Sequence, residues 1–137
     1  MIGDEQIQAA IISKLKSLAP YGGVASTEIR ELEWQGDVFT YPNIRVELET
    51  NEWEFDEQEK CMLQYVEFSA YCFSEQRSSK ECSQIKTAII NAIGGIGFTT
   101  NSTKFMRLRL VDNVPAVRQD ERTWRSQVKF GSRVNNP

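Results

Sequence analysis

Histidine is absent from this 137-residue chain, and cysteine is scarce. Because histidine is the commonest general base and metal ligand, its absence removes every catalytic dyad or triad that uses an imidazole. The three cysteines, Cys61, Cys72 and Cys82, are odd in number and spaced for neither a disulfide framework nor a zinc site. We expect reduced, mostly buried thiols, no cofactor or metal, and no enzymatic activity.

Long apolar runs are also missing. A membrane-spanning helix needs roughly 20 apolar residues, and the first five residues do not resemble the start of a secretory signal. Apolar residues at 40% and charged residues at 26% are typical of globular proteins, and the length suits one domain. We therefore expect a single domain over residues 1–137 that folds in the cytoplasm and has no membrane contact.

The net charge of −3 hides an uneven distribution of charges along the chain. The stretch Glu47–Glu59 holds seven acids and no base, whereas Lys104–Arg133 holds eight bases and three acids, a net +5. Opposite charges on one small domain favour head-to-tail association of copies.

Two helices are predicted from apolar residues at helical spacing. Asp4 is placed to cap the first, which should run to about Leu18. Ser78 and Glu81 have capping-box spacing for the second, Glu81–Ile93, which Gly94 and Gly95 should end. The buried faces are predicted as Ile7, Ala10, Ile11, Leu15 and Leu18 in the first helix, and Cys82, Ile85, Ala88, Ile89, Ala92 and Ile93 in the second.

Alternation of apolar and polar residues predicts four strands. They are Asn43–Thr50, Met62–Phe73, Phe105–Val111 and Thr123–Val134, joined by solvated polar connections at Asn51–Lys60 and Asp112–Arg122. The pattern of Ala25–Trp34 fits either a helix or a short strand. The predicted fold is α+β: an antiparallel sheet of about four strands with two helices packed on one face.

Several short motifs that resemble functional sites are explained by ordinary helix and turn structure. Gly94–Gly97 follows a helix, whereas a phosphate-binding loop precedes one. Ser83 and Lys86 have the spacing of a Ser-x-x-Lys nucleophile, and Ser13 and Lys16 have it as well, so this pattern alone is weak. A small hydrolase that uses serine and lysine stays open as an alternative.

The charged clusters are more typical of contact surfaces than of chemistry. Glu52, Glu54 and Asp56 lack the glycine of a calcium loop. The basic residues could follow nucleic-acid phosphates with Trp124 stacking on a base, but the overall acidity disfavours a dedicated nucleic-acid binder.

Taken over nearly its whole length, the chain resembles the tail terminators, or tail-completion proteins, of tailed bacteriophages. The resemblance is one of size and polarity pattern. It lies in the helix Ile7–Leu18, the strand entry Tyr41–Val46, the strand end Tyr71–Ser74 followed by the helix Glu81–Ile93, Asp112 and Asp120 around a connection, and the closing aromatic strand Trp124–Phe130.

This resemblance implies a structural virion protein that forms a ring, expected to be hexameric, on the head-proximal end of the tail tube. Such a ring stops tube polymerisation, joins the tail to the neck, lets the genome pass, and is assembled in the cytoplasm of the host bacterium. The implied partners are other copies, the tail tube protein and the neck or connector proteins, with the tail sheath as a further candidate. A head-completion or neck connector protein on the portal side is the alternative.

Residues for these contacts follow from the charge distribution. We expect partner binding by Glu52, Trp53, Glu54, Phe55 and Asp56. We expect a ring interface or channel surface from Arg107, Arg109, Arg125 and Lys129.

Overall fold

The first helix, α1 (Asp4–Ser17), begins at Asp4, the residue that was predicted to cap it. The computed structural model describes residues 2–32, 40–56 and 61–135, with the backbone alone described at 54–56 and 61–63. Gly3 is the N-cap, so Asp4 lies in the first turn, where its charge suits the helix dipole. Leu18 lies past the helix and is 39% exposed, so its assignment to the buried face was wrong. The other four predicted residues of that face are buried: Ile7, Ala10, Ile11 and Leu15.

The second helix, α2 (Lys80–Ile93), matches its prediction closely. Its end is set by two glycines: the Gly94 N–H donates to the Ile90 carbonyl at 2.8 Å, and Gly95 has a φ of +77°. A side chain at Gly94 would collide with that carbonyl, so only glycine fits. The predicted stripe faces the core, with Ala88 and Ala92 partly buried and the rest fully buried: Cys82, Ile85, Ile89 and Ile93.

The predicted capping box at the start of α2 does not form. Ser79, not Ser78, is the N-cap residue, and no side chain caps the helix. The Glu81 carboxylate instead accepts hydrogen bonds from Ser74 Oγ at 2.8 Å and Gln76 Nε2 at 2.7 Å. Glu81 therefore ties α2 to the end of the preceding strand.

The predicted α+β class is confirmed, and the described residues form a seven-stranded sheet, so the predicted count of about four strands was less exact. The order is β1-β2-β3-β7-β5-β4, with β6 also paired to β7. Only β1 and β2 are parallel; the other pairs are antiparallel. The strands are β1 (Ile29–Glu31), β2 (Asn43–Asp56), β3 (Cys61–Ser74), β4 (Phe98–Thr100), β5 (Thr103–Phe105), β6 (Arg109–Arg118) and β7 (Trp124–Asn135).

Two predicted polar connections are largely strand. Residues 51–56 continue β2 and pair with β3, and residues 112–118 belong to β6 and pair with β7. The predicted strand Phe105–Val111 is divided between β5 and β6, with 106–108 outside both. In Ala25–Trp34, whose pattern fitted either a helix or a short strand, a 3-10 turn at Ser26–Glu28 leads into β1. Residues 33 and 34 lie outside the described residues. A bulge between Leu48 and Thr50 interrupts the β2–β3 pairing.

The core lies between the two helices and one face of the sheet. The predicted inner face of β3 is completely buried: Val66, Phe68, Ala70 and Cys72. Phe68 pairs with Phe130 of β7, with ring centroids 5.7 Å apart. Cys72 and Cys82 are buried and unpaired, as predicted, whereas the side chain of Cys61 lies outside the described part. No helix among the described residues combines the length and apolar character needed to cross a membrane.

Candidate functional site

The sheet face opposite the helices carries a polar cluster centred on Glu49. At the β2 bulge, the Glu49 carboxylate lies 2.6 Å from Lys129 Nζ on β7. The same carboxylate accepts hydrogen bonds from Ser69 Oγ at 2.7 Å and from the Tyr71 hydroxyl at 3.3 Å. Gln127 Nε2 donates to Ser69 Oγ at 3.0 Å and extends the cluster. Three strands, β2, β3 and β7, thus meet through one carboxylate.

The pKa values in the cluster follow from this geometry. Burial alone would raise the pKa of Glu49, but the bonds from Lys129 and Ser69 outweigh burial and lower it. The pKa of Lys129 is raised, chiefly by its bond to Glu49. Burial, together with the charges of Glu47 and Glu49, raises the pKa of Tyr71 to about 12. The ion pair is therefore intact at neutral pH.

The ion pair within one copy limits which of the predicted basic residues can bind another molecule. Lys129 is engaged by Glu49 of its own chain, so the acidic and basic stretches of the sequence partly neutralise each other within one copy. Arg125 lies 5.7 Å from the Tyr71 ring centroid on the same face. The sequence patterns did not reveal this pairing, because it depends on β3 lying between β2 and β7.

The other two predicted basic residues are at the opposite end of β7. Arg109 begins β6, is exposed, and donates from Nη2 to the Tyr65 hydroxyl at 3.4 Å, so it shares the polar face. Arg107 precedes β6 and donates from Nε to the carbonyl of Gly95 at 2.8 Å, at the end of α2. The structure therefore groups Arg109, Arg125 and Lys129 on one face and places Arg107 apart from them.

The predicted partner-binding segment lies on the outer half of β2. Glu52 is exposed and Trp53 is half-buried, and they pair with Tyr65 and Gln64 of β3. The remaining members, Glu54, Phe55 and Asp56, are described as strand backbone only. Two aromatic residues alternating with three acids have the period of a strand, and this signal could have identified β2 over its full length.

Exposed apolar side chains mark the edge strand β6. Leu110, Val111 and Val117 are 45%, 41% and 44% exposed, and Met106 just before the strand is 46% exposed. These are four of the six large hydrophobic side chains that are exposed in the described residues. The sequence prediction missed this feature because Asp112, Asn113 and Pro115 are typical of turns.

The Ser-x-x-Lys motif on α2 has no arrangement that would activate a nucleophile. Lys86 is buried, and its Nζ donates to the Val114 carbonyl of β6 at 3.1 Å, with no hydrogen bond to Ser83. Lys86 thus joins α2 to the edge strand. Among the side chains that the structure describes, no group of three or more Cys, Asp or Glu residues could hold a metal ion.

Comparison with known proteins gives a structural relationship and no sequence family. No family model matches the chain, and no curated protein matches it. Among solved structures, the fold is similar to that of a chain described as "Virion of native gene transfer agent (GTA) particle", with a TM-score of 0.70 and 16% identity. The alignment covers 93% of each chain, so the similarity of fold extends over nearly the full length of both.

Proposed function

We propose that this chain is a structural virion protein of a phage-like particle. The observation that carries the proposal is the fold shared with a chain of a gene transfer agent virion, over 93% of both chains. The resemblance found in the sequence alone points to the same class of particle.

Within that class, we propose that copies form a hexameric ring that caps the head-proximal end of a tail tube, stops its growth and provides the surface for the neck. The separation of acidic and basic residues onto two different strands supports the assembly of copies into a ring. One long strand is acidic and a distant edge strand is flanked by arginines, so a contact between unlike surfaces can repeat from copy to copy and close.

The candidate residues divide into roles under this proposal. The outer half of β2, with Glu52, Trp53, Glu54, Phe55 and Asp56, binds a partner through its acidic and aromatic side chains. Arg109 and Arg125, exposed and half-buried on the polar face, supply the cationic side of the ring interface or channel. Lys129 acts through Glu49, by holding β2 against β7. Arg107 secures the turn after α2.

Electron microscopy tests the proposal directly. Purified chain would be added to tail tubes assembled from the tube protein of the same particle, and tube ends would be compared with and without it. We expect an extra ring at one end of each tube and a narrower distribution of tube lengths. Tubes that stay bare and keep growing would refute the tail-cap role, and rings found only on the portal would favour the head-completion alternative.

A charge-reversal variant sharpens this test. Arg109→Glu should abolish ring formation while leaving the monomer folded, since this side chain is exposed and makes one long hydrogen bond. Arg77→Glu is the matched control, because Arg77 is also exposed but lies in the turn between β3 and α2. Intact rings from Arg109→Glu would exclude Arg109 from the interface.

A further inference from the structure

Two strand edges of equal length are unpaired in the described part of the sheet. On β2, β1 covers only Ile44–Val46, and the last bond on that side runs from the Leu32 N–H to the Val46 carbonyl. Among the residues that the structure describes, the next ten of β2, Glu47–Asp56, pair with β3 alone. On β6, all of Arg109–Arg118 faces β7 on one side only. Each edge spans about 33 Å of backbone. On the β6 edge, the Val114 carbonyl accepts a hydrogen bond from Lys86 Nζ and the Asn113 N–H donates to Asp112 Oδ1.

The two edges have complementary chemistry. The β2 edge carries five acids and no base: Glu47, Glu49, Glu52, Glu54 and Asp56. The β6 edge begins and ends with arginine, contains one acid, and exposes Leu110, Val111 and Val117. Exposed strand edges are normally short, charged or covered, because they are templates for pairing with another chain. A long edge with exposed apolar side chains indicates a surface that is covered in the assembled state.

The strand directions also match. β2 is antiparallel to β3, β3 to β7, and β7 to β6, so β2 and β6 run in opposite directions within one copy. When copies stand side by side in the same orientation, the β6 of one therefore runs antiparallel to the β2 of the next. This is the pairing used through most of the sheet. The contact joins unlike surfaces, so it repeats and closes into a ring when the rotation permits.

We propose that copies of this chain join by edge-to-edge β-pairing, with the acidic edge of β2 in one copy added to the β6 edge of the next. The pairing runs over Arg109–Val114, across an irregularity between Leu110 and Asp112 and up to the Val114 carbonyl that Lys86 holds. It ends there because Pro115 has no N–H to donate and a second irregularity follows Val114. Leu110 and Val111 become covered, and Arg109 meets the acidic side chains of the neighbour. This inference rests on the proposed ring function and specifies how the ring is held.

The test compares two double variants by light scattering. Leu110→Glu with Val111→Glu places two negative charges opposite the acidic edge and should reduce the scattering mass to that of one 15.7 kDa chain. Leu18→Glu with Asn91→Glu is the matched control. Leu18 is 39% exposed after the end of α1 and Asn91 is exposed on α2, and neither lies on β6 or in the segment before it, so rings should persist. Rings from both variants would overturn the edge-pairing proposal and leave the ring function standing.

Hydrogen exchange keeps the proposal testable if the β6 variant folds poorly. In wild-type rings, amides in Glu47–Glu52 and Arg109–Val114 should exchange about tenfold or more slowly than in dissociated chain. Unchanged exchange in intact rings would overturn β-pairing. Slow exchange of Glu47–Glu52 only after tail tubes are added would assign the acidic edge to the tube protein instead. Chain that stays monomeric even at tube ends would refute both proposals.

Discussion

Replacing Lys129 by methionine should destabilise the folded chain by removing the cation from the Glu49 cluster. The Lys129 and Glu49 side chains are 25% and 20% exposed, and Ser69 and Tyr71 already hold the carboxylate in place. Little side-chain entropy is therefore lost when the ion pair forms. A structural role for Lys129 within one copy predicts a measurable coupling with Glu49.

The size of that coupling follows from the distance and the exposure. Two unit charges 2.6 Å apart attract by about 1.6 kcal/mol in bulk water. Exposed pairs typically retain about 0.2–1 kcal/mol of coupling, because salt screens them and ordering two long side chains costs entropy. The carboxylate here is pre-positioned, so we expect about 1 kcal/mol, at the upper end of that range.

A double-mutant cycle in urea measures the coupling. Lys129→Met, Glu49→Gln and the double variant would be unfolded at one fixed chain concentration, since glutamine still accepts bonds from Ser69 and Tyr71. The lowered pKa of Glu49 makes its contribution full above its ordinary value of 4.5 and lost as pH falls through the folded-state pKa. The raised pKa of Lys129 keeps the cation charged up to and beyond 10.5. The coupling should therefore be constant between about pH 6 and pH 9 and fade in acid. A coupling near zero at neutral pH would refute the internal pairing and make Lys129 available to a neighbouring copy.

Two further predictions concern packing and burial. Gly131→Ala should lower the free energy of unfolding by about 1–3 kcal/mol, because the new Cβ would collide with the Tyr65 hydroxyl and lie 3.1 Å from Val111 Cγ2. Urea unfolding should find a smaller loss when the same change is made in a Tyr65→Phe variant. An equal loss would show that the hydroxyl is not responsible. In a Cys61→Ser variant, Cys72 and Cys82 should resist alkylation at pH 8 and react fully in urea. The reason is that burial raises the pKa of Cys72 to about 12 and also raises that of Cys82. Rapid labelling of the native chain, detected by mass spectrometry, would contradict this prediction.

The helices and the main strands could be predicted because their patterns are strong and local. In α2, apolar residues at helical spacing and the glycines at its end agree, and the structure follows both. The short strands β1, β4 and β5 carry only three residues each, so pairing with distant segments determines them rather than local pattern. The same holds for β6, where Pro115 and Asp112 favour a turn but pairing with β7 is stronger.

For the candidate site, the sequence predicted the charged regions but not which residues pair with each other. An acidic and a basic stretch are visible in the sequence, and their association was expected between copies. The pairing of Glu49 with Lys129, 80 positions apart, depends on the strand order, which no local pattern contains. The exposed edge of β6 likewise becomes visible only when β7 is seen to have β3 on its other side.

Glu49, the extra residue at the β2 bulge, changes which side chains of the strand face the core. Before Glu49, even-numbered residues such as Val46 point to the core; after it, the parity reverses, so Trp53 is half-buried and Glu52 lies in solvent. If β2 paired with β3 through this point without the bulge, Glu52 would lie opposite the buried Gln64 and Trp53 would turn outward. The bulge, more than the identity of any side chain, therefore decides which side of the strand is acidic.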